Sequence, residues 1–186
     1  MKLLTKQITQ TALLLSICIA SQFFKNLSVY ITGPIINICI ILAVLMIGIG
    51  SGVILSIVTP VTAFLIAPSP IMSGIPLVMP CIMIGNSILA ISVWVFQKKL
   101  LMSTASIRII IGIVVGAILK AIFMGVTIVL ILLPLFSGNI AVPAQKLPIL
   151  LQTAKVTFSI TQFITAIIGG VISYVIWLRI KNINNI

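Results

Sequence analysis

Long apolar runs alternate with short polar or proline-rich breaks along the whole chain. Runs of this length predict helices that cross a bilayer, whose ~30 Å hydrocarbon core takes about 20 residues at ~1.5 Å each. The breaks divide the chain into six such helices. The first spans about 8–24, and the Gly33-Pro34 pair opens the second, which ends near Ile47. Pro in a first turn sacrifices no hydrogen bond. A glycine-rich turn at 48–52 leads to the third, which ends near Ile66, is short for a span and should kink at Pro60. The fourth emerges near Pro76–Pro80 and ends around Gln97, the fifth covers 106–133, and the sixth runs from about Ile149 to Leu178. Two proline-rich stretches, Ala67–Pro80 and Pro134–Pro148, are too apolar for solvated tails and predict structured loops that cap one end of the bundle.

Composition agrees with this pattern. The 186 residues are 61% hydrophobic and 6% charged, which predicts an all-α integral membrane protein with a single six-helix domain and no separate aqueous domain. Lys2 and Lys6 precede an apolar stretch as in a signal peptide. That stretch is long for one and lacks a small-x-small cleavage site, so it reads as a first helix. The net charge of +11 is mostly scattered at the ends of apolar runs, which excludes a nucleic-acid face and sets orientation. Lys2, Lys6, Lys98, Lys99, Arg108, Arg179 and Lys181 fall on one side, against Lys25 and Lys146 on the other. By the positive-inside rule both termini are cytoplasmic and the two proline-rich loops lie outside.

The chain has no Asp, Glu or His, so the usual general bases and hard-metal ligands are missing. This argues against an enzyme, a metal site or a resident cofactor. Cys18, Cys39 and Cys81 lie inside apolar runs without metal-ligand spacing and read as small buried hydrophobes.

Lys120 changes the picture most, because it lies near the middle of a long apolar run, Ile107–Leu133. A lysine at mid-depth costs roughly 3 kcal/mol or more and marks a protein interior or a wet cavity. With no carboxylate in the chain, a charged partner must come from outside it. Asn86 and Gln162 fall near the same depth, and Asn37 and Lys155 lie in the outer half. These five predict an outward-open pocket for a small molecule bearing a carboxylate or phosphate. For the amides, interhelical hydrogen bonding is the competing role, and for Lys155 it is snorkelling to the interface. In the first helix Ala12, Ser16 and Ala20 recur every four residues, which permits close approach of another helix, either from this chain or from a partner subunit.

Taken together, the chain resembles the substrate-binding S-components of energy-coupling factor (ECF) vitamin transporters over essentially its whole length. The resemblance rests on the Ala12-xxx-Ser16-xxx-Ala20 face, on Gly33-Pro34-Ile35-Ile36-Asn37 and on Pro80-Cys81-Ile82-Met83-Ile84-Gly85-Asn86. Ser16 stands where the family's pattern has alanine. The resemblance implies capture of a vitamin or related micronutrient outside a prokaryotic plasma membrane. It also implies docking of the first helix on a membrane coupling subunit with attached ATPases, which carry the ATP chemistry. A stand-alone secondary transporter or channel for a small organic anion, using the first-helix face on itself, is the alternative. Coupling in such proteins commonly uses membrane carboxylates, which this chain lacks.

Overall fold

The computed structural model describes residues 2–24, 29–99 and 104–183, and every regular element among them is a helix. They are α1 (Lys2–Gln22), α2 (Val29–Met46), α3 (Ile49–Ile66), α4 (Pro70–Gly74), α5 (Val78–Lys99), α6 (Ala105–Met124), α7 (Leu133–Phe136), α8 (Leu147–Thr157) and α9 (Ile160–Ile183). A π-helical stretch, Gly125–Leu132, joins α6 to α7, and a 3-10 turn, Ser137–Asn139, follows. Helices close every backbone hydrogen bond within the segment, which is what a bilayer demands.

The side chains are distributed inside out. Ile54, Leu65, Ile122, Leu130 and Val175 are each at least half exposed, whereas Asn37, Thr59, Asn86, Lys120, Thr165 and Ser173 are buried. Lipid replaces water as the outer solvent, so apolar surface costs nothing outside and polar groups gather where they can find partners. Among the described residues, five helical runs are long and apolar enough to cross a membrane: α2, α3, α5, α6 through to Asn139, and α8 through α9. The expected first span, α1, has the length at 21 residues but carries Thr5, Lys6, Gln7, Thr9, Gln10 and Thr11 in its first half, and it falls outside that set.

α2 lies at the centre, with Cys39 to Leu45 buried without interruption, packed along α9 and flanked by α1, α3 and α5. α5 packs along α6. Among the described residues, two apolar clusters fill the bundle. One, built on Ile40, Val44, Leu89, Val93 and Ile113, is flanked by Trp94 and Trp177 and by Ile49 at the α2–α3 turn; we call this the tryptophan end. The other, built on Met72, Val78, Met124, Ile128 and Phe158, lies at the proline end among α4, the π stretch and α8. Lys98 and Lys181 stand over the Trp94 and Trp177 rings at 5.5 and 5.2 Å, pairs suited to a membrane–water boundary.

Several sequence expectations are corrected. The second helix starts at Val29, so Gly33-Pro34 lies inside it rather than at its mouth. The loop Ala67–Pro80 contains α4, started by Ser69, whose hydroxyl accepts from the Met72 N–H at 3.2 Å. The fifth helix changes to π geometry at Gly125, and the sixth breaks at Phe158 and Ser159 into α8 and α9. Neither change is announced by proline. Lys25, expected at the proline end, lies outside the described residues.

Candidate functional site

Between the two apolar clusters lies a cavity of about 230 Å³. Its wall takes residues from α1, α2, α3, α4, α5, α6, α8 and α9, so it is the place where nearly every element meets. Most of the lining is apolar, with a few polar side chains set into it, as in sites for small organic ligands.

Lys120 of α6 reaches this cavity and is 2% exposed. Its Nζ donates to Asn37 Oδ1 on α2 at 2.7 Å, and Asn37 Nδ2 faces Thr165 Oγ1 on α9 at 3.5 Å. Thr165 in turn donates to the Thr161 carbonyl at 2.8 Å. A chain of neutral dipoles thus holds the ammonium. An ammonium has three donors, and Asn37 takes one of them.

Glycines give this chain of contacts its room. A Cβ on Gly169 would stand 2.8 Å from Asn37 Cβ and 2.9 Å from the Pro34 carbonyl, so α9 can approach the Asn37 turn only because residue 169 has none. At Gly33 the same added atom would meet Thr165 Cγ2 at 2.9 Å, and at Gly85 it would meet Met124 Sδ at 2.9 Å and Lys120 Cγ at 3.7 Å. The Gly33-Pro34 and Gly85-Asn86 pairs therefore seat the polar groups on facing helices. Small residues at crossing points serve membrane bundles in this way.

Of the five residues expected at the site, Asn37, Asn86, Lys120 and Gln162 line the cavity together. Asn86 is 4% exposed and its carboxamide has no hydrogen-bond partner among the described residues. Gln162 spends its amide nitrogen on the Thr157 carbonyl at 3.2 Å, closing a backbone group freed by the break between α8 and α9. Lys155, expected in the lining, is instead exposed and outside it. On α8 the residues that face the cavity include Thr153, Ala154 and Thr157, and at 100° per residue Lys155 points away from them.

Sequence reasoning missed Gln22, the last residue of α1, which lines the cavity and is 1% exposed. Its Nε2 donates to the Thr59 carbonyl at 3.1 Å and to Thr62 Oγ1 at 3.0 Å, tying α1 to α3. In the sequence it stands beside a polar break and resembles an interfacial residue. Its spacing from Cys18, one helical turn earlier and also buried, was the available signal. On the other side of α1, Ala12, Ser16 and Ala20 are all exposed. The Ser16 hydroxyl is turned back onto the Ala12 carbonyl at 2.9 Å, which leaves that face smooth and without a free donor.

No curated protein and no solved structure matches the chain. A family model does: that of the ECF transporter substrate-specific component, over residues 6–180. A helical membrane bundle enclosing a ligand-sized cavity, matched to that model over nearly its whole length, belongs to the family of ECF transporter substrate-specific components.

Proposed function

We propose that this substrate-binding subunit captures a small anion, a carboxylated vitamin or related micronutrient, on the outer side of a prokaryotic plasma membrane. One observation carries the reading: a lysine buried at the cavity, held by a neutral amide, in a chain with no acidic side chain. A desolvated ammonium gains most from a ligand carboxylate or phosphate, because charge-assisted bonds are roughly twice as strong as neutral ones. The volume of about 230 Å³ favours a compact molecule. α1 serves as a sixth crossing, both termini are cytoplasmic, and the proline end faces outward; Lys98, Arg179 and Lys181 at the tryptophan end support this orientation.

In this reading the exposed Ala12, Ser16 and Ala20 face receives a membrane coupling subunit whose attached ATPases drive uptake. Cavity and docking face use opposite sides of α1, so Ala20→Trp abolishes uptake in cells that carry the partners while ligand binding by the purified chain is preserved. Parallel loss of both would assign the face to folding. Native mass spectrometry of the purified chain tests the substrate class, and a retained molecule that is anionic at neutral pH is the expected result. A neutral or cationic molecule would overturn the anion reading.

A further inference from the structure

The cavity wall contains a second polar feature whose chemistry is the opposite of the lysine's. Gln22 is 1% exposed, and its Oε1 is buried without a hydrogen-bond partner. The orientation of this amide is fixed by what surrounds it. The Thr59 carbonyl can only accept, so the atom facing it must be the nitrogen. Thr62 donates its hydroxyl proton to that same carbonyl at 3.0 Å, so toward Gln22 it can only accept. As arranged, both contacts take Nε2, and turning the amide over would set its oxygen against the Thr59 carbonyl oxygen, a contact that no hydroxyl rotation relieves. Oε1 is therefore locked as an acceptor; the atom itself is closed off in this arrangement, on a side chain that forms part of the cavity wall.

Buried polar atoms in native proteins are nearly always satisfied, and an exception calls for a physical reason. No donor from the described residues reaches Oε1, although Thr59, Thr62 and Gln22 itself are placed well enough to bond one another. We propose that Gln22 is the donor-reading end of the site. Its carbonyl accepts a hydrogen bond from a hydroxyl or N–H of the same molecule whose anionic group meets Lys120. This rests on the anion reading and narrows it: the substrate carries an anionic group and, apart from it, a hydrogen-bond donor. A plain fatty or aliphatic acid lacks the second element. Sites built around a buried polar group discriminate strongly against analogues that leave that group unpaired.

Matched probes test this on the full chain in detergent. Straight ω-hydroxycarboxylates of four to eight carbons are compared with the parent alkanoates by thermal stabilisation and by calorimetry. An apolar wall alone would favour the alkanoate, because the hydroxyl must be desolvated. With Gln22 as acceptor, at least one chain length reverses that order, the hydroxy acid binding about tenfold tighter or more, the span of a single well-made hydrogen bond to a buried group. Gln22→Met, similar in length and flexibility, abolishes the hydroxyl preference, so that at every length the order returns to the one an apolar wall dictates. If that variant is poorly folded, the wild-type pairs still keep the proposal falsifiable, because an acceptor that reads a donor must favour the hydroxy acid at some length. Alkanoates binding as well as hydroxy acids at every length would overturn the proposal and leave the anion reading standing. The converse is also distinguishable: matched diols that stabilise the wild type but not Gln22→Met, with both acid series inert, would uphold the Gln22 acceptor and overturn the anion reading.

Discussion

The two ends of the bundle follow different packing rules. At the tryptophan end the helices are continuous, and glycines bring them into direct contact. A Cβ on Gly112 would meet Phe96 Cβ at 3.0 Å and Val93 Cα at 3.1 Å, and one on Gly116 would meet Leu89 Cδ1 and Ser92 Cβ at 3.0 Å. At the proline end the same polypeptide is interrupted by α4, by the π stretch and by the break at Phe158 and Ser159. Interrupted helices cannot mesh along their length, and in a membrane irregular backbone is tolerated where it is buried or borders a cavity. The cavity lies between these ends, with Lys120, Asn37 and Thr165 at the boundary. One end supplies rigidity and the other supplies space. Substitutions should therefore separate stability from affinity according to which end they touch.

Lys120→Met should produce the largest effect. It keeps much of the stem's volume and removes the charge, so affinity for an anion falls by about thirty-fold to several thousand-fold, as when a desolvated charge contact costs ~2–5 kcal/mol. Stability should hold or rise, because a buried charge without a charged partner has been removed. Calorimetric titration and thermal unfolding on the same preparation check the two halves of this expectation. Unchanged anion affinity would reduce Lys120 to a structural residue.

Much of this boundary is legible in the sequence. Lys120, Asn37 and Asn86 announce themselves because a polar residue inside a long apolar run must turn toward a protein interior or a wet cavity, and a shared expected depth brings Lys120 and Asn86 together, whereas Asn37, expected in the outer half, bonds Lys120 directly. Depth is legible; facing is not. Placing Lys155 in the pocket assumes one straight sixth helix. The break that redirects α8 occurs at Phe158 and Ser159 with neither glycine nor proline to mark it. The π stretch is equally hidden, since a change from i→i+4 to i→i+5 bonding leaves the apolar composition of Gly125–Leu132 unremarkable. Gln22 escapes for another reason. Its burial comes from α1 leaning against Thr59 and Thr62 of α3, and the single local signal for it, one helical turn from Cys18, is outweighed by the polar break that follows.

The packed end is tested by Gly112→Leu, with a smaller effect of the opposite kind. Leucine at this site gains up to about 1 kcal/mol of helix propensity over glycine. Against that, its Cβ alone is crowded by backbone, with Val93 Cα at 3.1 Å and the Ser92 carbonyl at 3.3 Å, and the rest of the side chain has no space to enter. Overpacking of this sort costs ~1–3 kcal/mol, so the clash wins and the midpoint of thermal unfolding drops. The folded fraction should bind with affinity within about twofold of wild type, since Gly112 is absent from the cavity lining. A large affinity loss with unchanged stability would mean that the ends are mechanically coupled.

Lys155→Met gives the smallest expected change and the sharpest contrast with Lys120, because both are lysines and only their surroundings differ. Lys155 is exposed on α8, in the last turn of that helix, where a cation favours the carbonyl end of the dipole by about 0.3–1 kcal/mol. Losing that term should lower stability only slightly. For affinity, the field of an exposed charge is screened over ~8 Å at physiological ionic strength, so it acts on approaching anions more than on bound ones. Equilibrium affinity should then change by about twofold or less, with the association rate slowed modestly at low salt and restored to the wild-type value as salt is raised. Stopped-flow binding across an ionic-strength series reads both quantities. A loss comparable to that of Lys120→Met, independent of salt, would place Lys155 against the bound anion and require α8 to turn its outer face inward when substrate arrives.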